Sequence, residues 1–343
     1  MAYQIDIKER TFHFKQPAGT SRGIYTTRKS WMVEISDGQH TGIGECAPLP
    51  KLSCDDIPDY EQVLRRFCDE LERTGTLCDE ELRHYPSMCF GLETALLSLR
   101  AGGSHVLFDN AFSRGEEGIP MNGLVWMGTH DEMLARLEEK LRQGFHCIKI
   151  KIGAIDFDQE MDLIRHIRSR YSEDDVEIRV DANGGFTFDE AFDRLVQLSQ
   201  LDLHSIEQPI RAGEWGDMAE LCRETPLPIA LDEELIGVNQ TEQKIQLLDI
   251  IKPHYIILKP SLHGGMQGCR EWIRLAGERG IKSWMTSALE SNVGLNAIAQ
   301  FAADVYGSHI TMPQGLGTGQ LFTDNIAMPL EVRGEQLWVT KAE

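Results

Sequence analysis

The sequence predicts an α/β fold, a modified (β/α)8-type TIM barrel with a smaller α+β N-terminal capping domain. Three observations lead there. At 343 residues the chain is long enough for a barrel plus a second, smaller unit. From about residue 116, short β-rich segments alternate strictly with helical stretches, ending near Val125, Ile152, Val180, Ile206, Leu231, Leu258, Met285 and Thr311. The glycine fingerprint of a dinucleotide-binding open sheet, GxGxxG after the first strand, is missing.

Residues 1–115 read as the α+β unit. Met1 to Lys15 alternates charged and apolar residues and reads as a strand rather than a signal peptide. Tyr3, Ile5 and Ile7 share one face of it; Trp31, Val33 and Ile35 share one face of another strand, closed by the Asp37-Gly38 turn. Helices are predicted over Asp59 to Thr74 and Cys89 to Ala101, the second ending at Gly102-Gly103. Ser104 to Gly118 reads as a linker.

Residues 116–325 then form the barrel. Its helix over Asp131 to Gln143 opens with a Thr129-x-x-Glu132 capping box and stops at Gly144. Another opens with Thr187-x-x-Glu190, and others cover Glu242 to Leu248, Met266 to Glu278 and Val293 to Tyr306. The last segment, 326–343, has turn-and-strand character around Gly334 and is expected to return to the capping domain.

Composition excludes several classes of function. There are 34 basic against 54 acidic side chains, a net charge of −20, which opposes nucleic acid and anionic membranes as partners. No apolar run reaches the ~20 residues of a spanning helix. The eight cysteines lack a CxxC pair or a zinc-like Cys/His spacing, so they read as reduced thiols of a cytoplasmic protein. A small-molecule carboxylate remains a fitting substrate if positive charge is supplied locally by a metal ion and a few lysines. Oligomeric state stays open, a homo-oligomer included.

Charged residues at the C-terminal ends of barrel strands are the candidates for chemistry. In the second strand, Cys147 to Ile152, alternation puts Lys149 and Lys151 on one face and the isoleucines on the other. Such a face is solvated in an isolated strand. In a barrel the isoleucines must pack on helices, so the lysines turn inward and require counter-charge. The next three strands end in Asp181, Glu207 and either Asp232 or Glu233, of which Asp232 lies nearer the strand. Three such carboxylates form a hard oxygen cluster suited to Mg²⁺. The sixth strand ends in Lys259, across the barrel from Lys151. Two lysines flanking a metal suit enolate chemistry beside a carboxylate.

Taken together, Lys149-x-Lys151, Asp181, Glu207, Asp232 and Lys259 resemble the pattern of the enolase superfamily, in its muconate-lactonising branch and most nearly in the o-succinylbenzoate synthases. The early motif Gly42-x-Gly44-Glu45-Cys46-Ala47-Pro48-Leu49-Pro50 is similar to that of the family's capping domain. The resemblance implies a Mg²⁺-dependent lyase, with Mn²⁺ able to substitute, acting in menaquinone synthesis. The metal would rest on Asp181, Glu207 and Asp232, braced by Asn183. Lys151 would move the proton, Lys149 would lower its pKa, and Lys259 would remain a cation on the other face.

It further implies lid loops near 18–23 and 46–54, with Arg22 facing a substrate carboxylate. Dipeptide-racemising relatives carry Asp-x-Asp after the eighth strand; here Gln314 to Gly319 contains no acid and either offers an anion backbone N–H groups at Gly315 and Gly317 and a hydroxyl, or uses its glycines only for the turn. Ser287 lies in a segment similar to the serine-rich stretch of the synthases. Dipeptide epimerase, N-acylamino acid racemase and muconate cycloisomerase remain alternatives, and a non-catalytic metal-binding barrel a remote one.

Overall fold

The computed structural model of the chain describes residues 3–20 and 23–340. Strands β1 (Gln4–Thr20), β2 (Gly23–Ser36) and β3 (Thr41–Cys46) form an antiparallel sheet in that order. Val33 and Ile35 are fully buried and Trp31 nearly so, as the alternation predicts. Behind the sheet lie α1 (Tyr60–Thr74), the short α2 (Asp79–Leu82) and α3 (Pro86–Arg100). Gly75 ends α1 in the left-handed region and donates its N–H to Leu71 O at 2.8 Å.

The glycines of the early motif have a steric reason. Helix α3 lies backbone to backbone on β3. A methyl group on Gly44 would stand 1.9 Å from Gly91 O, and one on Gly42 would stand 2.1 Å from Ala95 O. Only hydrogen fits there.

The barrel is approached through β4 (Ile119–Pro120) and begins with β5 (Gly123–Val125) and α4 (His130–Arg142). It continues with β6 (Cys147–Lys151), α5 (Phe157–Arg168), β7 (Glu177–Asp181) and α6 (Phe188–Ser199). Next come β8 (Ser205–Glu207), α7 (Trp215–Glu224), β9 (Ile229–Leu231) and, after a 3-10 turn, α8 (Thr241–Ile251). Strands β10 (Tyr255–Leu258) and β11 (Lys282–Met285), with α9 (Gly265–Gly277) and α10 (Asn292–Tyr306), complete it. Both capping boxes form, at Thr129/Glu132 and Thr187/Glu190. The strands β5 to β11 make one parallel sheet in chain order.

The eighth position departs from expectation. No strand ends near Thr311; instead Gln314 bridges Met121 and Gly315 bridges Thr286, both parallel, and these two contacts close the sheet. The physical reason lies in Pro313, which has no N–H to lend a ladder, and in the glycines that follow. The Gln314 side chain takes over part of the ladder, accepting from Met285 N at 2.6 Å and donating to Met312 O at 2.8 Å.

The supposed linker is also fastened. Gln300 Oε1 accepts from Leu107 N at 2.7 Å, and Phe112 is buried. At the other end, the return to the capping sheet is made mainly before residue 326: Lys15 N donates to Leu321 O and Asp324 accepts from His13 N. Ile326 and Met328 pack on the same apolar cluster as Phe12 and Phe14. The hairpin β12 (Leu330–Arg333) and β13 (Gln336–Val339) goes elsewhere, pairing with β4, while Glu335 binds His146 ahead of β6. It therefore lies at the N-terminal rim of the barrel, away from the capping domain, because β4 supplies the unpaired edge that the hairpin needs.

Ile148, Ile150 and Ile152 face outward into the main apolar cluster, beneath the helices. Among the described residues no helix is long and apolar enough to cross a membrane.

Replacing Gly44 by Ala should lower the unfolding free energy by at least the ~1–3 kcal/mol typical of overpacking. Urea unfolding of the variant measures it. Unchanged stability would mean that α3 can withdraw from β3.

Candidate active site

Parallel pairing sets the site. Lys151 lies beside Asp181 in register, and Asp181 beside Glu207. Alternation points all three inward at one level of the barrel's C-terminal rim. Asp232 follows β9 and Lys259 follows β10, so both occupy the same rim.

The ammonium groups find the counter-charge that their burial demands. Lys149 Nζ lies 2.8 Å from Asp181 Oδ2 and also binds Glu207. Lys151 Nζ lies 2.5 Å from the same Asp181 oxygen and 2.8 Å from Asn183 Oδ1. Lys259 pairs with Asp232. Asp181, Glu207 and Asp232 are all buried.

Two strand ends are braced by residues in the left-handed region, Asn183 at φ 46° and Gln208 at φ 41°. Such backbone costs about 1–3 kcal/mol and persists where surroundings over-determine it. Asn183 connects Lys151 to Glu233, its Nδ2 donating to Glu233 Oε1 at 2.9 Å. Gln208 Oε1 accepts from Asp232 N at 3.3 Å and Glu234 N at 3.2 Å, which fixes the turn after β9. Both Asp232 and Glu233 thus enter the site: the first meets Lys259, the second Asn183.

Charge crowding shifts the acids apart. Burial works against ionised Asp181, yet the Lys149 and Lys151 charges hold it well below the usual carboxylate range. Glu207 is pushed well up by burial and by neighbouring Asp181 and Asp232. Burial, then Asp232 and Asp181, push Glu233 up to about 7. Burial opposes the charged forms of Lys149 and Lys259, but Asp181 and Glu207 around the first, and Asp232 and Glu207 around the second, keep both firmly protonated.

The residues fit a divalent cation. Glu207 Oε1, Asp232 Oδ1 and Glu233 Oε2 are buried acceptors with no hydrogen-bond partner, which leaves hard oxygen lone pairs at one rim without a donor. Among the described residues no three acid, His or Cys side chains already stand at coordinating distance. Lysine ammonium groups stand among these oxygens instead: Lys149 and Lys151 share Asp181 Oδ2, Lys149 also binds Glu207, and Lys259 binds Asp232. A cavity of about 430 Å³ opens beside this rim, lined in part by Met127, Gly153, Asn183, Arg211 and Glu233.

The remaining predicted contacts divide. Ser287 is buried and its hydroxyl pairs with that of Thr318 at 2.6 Å. Gly315 N–H is spent on Met285 O at 2.8 Å, so it is not offered to a ligand as the sequence suggested. A methyl group there would meet Thr286 Oγ1 at 2.5 Å, which accounts for this glycine by packing. Gly317 is exposed. Arg22 lies outside the described residues.

A buried joint between cap and barrel escaped the sequence reading. Glu45 accepts from Ser30 Oγ at 2.8 Å and, across the joint, from Ser291 Oγ at 2.6 Å and Gly294 N at 3.0 Å. Arg28 donates to Ala47 O and Pro48 O, both at 2.6 Å, and to Ala288 O at 3.3 Å. The loop 46–54 is thereby tied to the turn carrying Ser287. Glu45 stood within the quoted motif, which was the available signal.

Fold and rim together define a capped α/β-barrel with acids and lysines gathered at the strand ends. Residues 132–342 match the family model described as enolase C-terminal domain-like, and residues 20–99 match the MenC N-terminal domain; the chain belongs to this family. It is 46% identical to the o-succinylbenzoate synthase of Desulfotalea psychrophila, over 98% of this chain and 99% of that one. The crystal structure of MenC from the same organism superposes with a TM-score of 0.84 at 42% identity, covering 99% of this chain and 100% of the other. The substrate-liganded L-Ala-D/L-Glu epimerase of Bacillus subtilis shares the fold, with a TM-score of 0.83 at 22% identity over 98% and 96% of the chains.

Glu207 generates a pH test. Its folded-state pKa lies above its ordinary 4.5, so the folded chain holds that proton more tightly than the unfolded chain. Its contribution to stability is therefore full below about pH 4.5 and is lost as pH rises through the folded value. In EDTA, Glu207→Gln should lose less stability between about pH 5 and pH 7 than the parent, as read by urea unfolding. Parallel curves would refute the crowding.

Proposed function

We propose that the chain is an o-succinylbenzoate synthase, catalysing the dehydration of 2-succinyl-6-hydroxy-2,4-cyclohexadiene-1-carboxylate in menaquinone synthesis. The observation that carries this is the 46% identity to a synthase over nearly the whole of both chains. The row Lys151, Asp181, Glu207 with Asp232 and Lys259 agrees with it chemically.

Asp181, Glu207 and Asp232 would hold Mg²⁺, or Mn²⁺ in its place, with Asn183 bracing them through Asp181 and Glu233. When bound, the ion supplies positive charge against the substrate carboxylate, making the neighbouring proton acidic. Lys151, held by Asp181 and Asn183, takes that proton as base in its neutral amine form, becoming the ammonium. It then returns it to the departing hydroxyl on the same face, so a C–H and a C–O bond break and water leaves. Lys149 fixes the two carboxylates on one side. Lys259 stays protonated on Asp232 and offers a cation to the opposite face. The eight free cysteines suit a reducing cytoplasm.

A substrate panel tests the assignment. Aromatisation of the succinylcyclohexadiene carboxylate should far outpace epimerisation of any L-Ala-L-Glu-like dipeptide, since no Asp-x-Asp follows the closing bridges to hold an ammonium group. The reverse ranking would transfer the chain to the epimerases and leave the family standing.

The lysines are tested separately. Lys151→Ala should lose dehydration by the ~10²–10⁴-fold typical of a missing general base. Lys259→Arg, which retains a cation, should keep a measurable rate, within roughly 30-fold plus a loss from arginine's different shape. Steady-state rates with circular dichroism decide. Equal, complete inactivation would mean that Lys259 also carries a proton.

A further inference from the structure

The segment His263-Gly264-Gly265 stands between Lys259 and helix α9, and the reaction scheme leaves it without a role. Its geometry supplies one. Gly264 and Gly265 both lie in the left-handed region, at φ 87° and 71°. A side chain on Gly265 would stand 2.3 Å from Glu93 Oε2 and 2.8 Å from Cys89 Sγ, so α9 begins pressed against α3 of the capping domain.

Helix α9 has no side-chain cap of its own, because its N-cap is Gly264. Its first N–H groups still require acceptors. Glu93 provides them from the other domain: Oε2 accepts from Met266 N at 2.6 Å and Oε1 from Gln267 N at 3.0 Å. A carboxylate at that position also meets the positive end of the helix.

From there the connection to Lys259 is short. Gly265 N donates to Pro260 O at 2.9 Å, and His263 N donates to Lys259 O at 3.0 Å. The buried His263 ring closes the turn, its Nδ1 accepting from Lys259 N at 3.0 Å. Every backbone polar group of Lys259 is thus held by a turn whose far end hangs on Glu93.

We propose that Glu93 is a positioning residue for Lys259: by gripping the first turn of α9 it fixes the 259–265 turn and thereby aims the lysine across the barrel. The capping domain then contributes to the acid–base apparatus itself. The inference rests on the reading that Lys259 serves the dehydration.

Two measurements decide it. In the first, kcat and KM for dehydration are compared for wild type, Glu93→Ala, Glu93→Gln, Lys259→Arg and the Glu93→Ala/Lys259→Arg pair. Misplacement by 1 Å can cost ~10²-fold, so a partial release should lower kcat about tenfold while KM moves by less than about threefold. Glu93→Gln keeps an acceptor for one amide and should recover most of the rate. In the Lys259→Arg background Glu93→Ala should remove less than about twofold more, because the residue it acts through is already changed. In the second, hydrogen–deuterium exchange of residues 256–268 should quicken in Glu93→Ala, and less so in Glu93→Gln.

An equal tenfold loss in both backgrounds would overturn the link, as would unchanged exchange in that segment. If Glu93→Ala does not fold, the same cycle and exchange comparison are run with Glu93→Asp, whose shorter side chain cannot reach both amides of α9. The exchange arm needs no turnover. A wild type without dehydration activity would therefore sink the reaction while leaving the mechanical link to be decided.

Discussion

Burial of charge at the barrel rim is the constraint from which the rest follows. Lys149 and Lys151 on β6, and Lys259 directly after β10, sit at largely buried positions where an isolated ammonium group could not remain charged. Each is compensated by an acid on an adjacent strand, which parallel register delivers to the same level. That pairing in turn dictates the backbone around it. Asn183 and Gln208 accept left-handed conformations so that their amides can reach Glu233 and the 232–234 turn. Strain is concentrated where orientation matters and is carried by the apolar shell of isoleucines and helices outside.

The capping domain answers a second constraint. A barrel helix that begins near the rim leaves N–H groups exposed, and local caps would have to come from the loops that line the site. Two carboxylates from the cap meet this need: Glu93 caps α9, which has no side-chain cap of its own, and Glu45 accepts from Gly294 N beside the local Ser291 cap of α10. Arg28 adds a buried clamp between the 46–54 loop and the turn of Ser287. The joint is therefore polar and directional. Polar contacts of this kind fix orientation between units more sharply than apolar contact, which tolerates sliding.

Much of this was legible in the chain because the signals are local. The Lys-Ile-Lys-Ile alternation of residues 149–152 forces lysines inward once the isoleucines must meet helices, and acids directly after apolar runs mark strand ends. Capping boxes at Thr129 and Thr187 were equally direct. What stayed hidden depends on contacts distant in sequence. Glu93 meets Met266 across 173 residues, and Glu45 meets Ser291 across 246. Nothing around Glu93 distinguishes it from a surface acid, and the motif around Glu45 marks the residue without naming its distant partner. The eighth strand misled for another reason: Ile310 and Met312 alternate as in a strand, but Pro313 and the glycines after it allow only two bridges. Gly315 likewise read as an anion-binding glycine, whereas its N–H closes the sheet and its missing side chain makes room for Thr286.

The site's electrostatics also connect its vacant lone pairs to its substrate. Asp181, Glu207, Asp232 and Glu233 face three ammonium groups, so with all groups ionised one negative charge is left over in a buried place. The folded chain relieves this by holding protons more tightly at Glu207 and Glu233. A carboxylate substrate would find no attraction in such a site, only acids that already repel one another. A divalent cation held by Asp181, Glu207 and Asp232 would reverse the sign, supplying the positive charge that lets the acids stay ionised and leaves a net positive centre. The −20 charge of the whole chain makes the reversal necessary, since no general positive field draws the substrate in. The same acids that repel a carboxylate when bare thus become, around a cation, the means of holding one, and the lysines on either side are left free of that task.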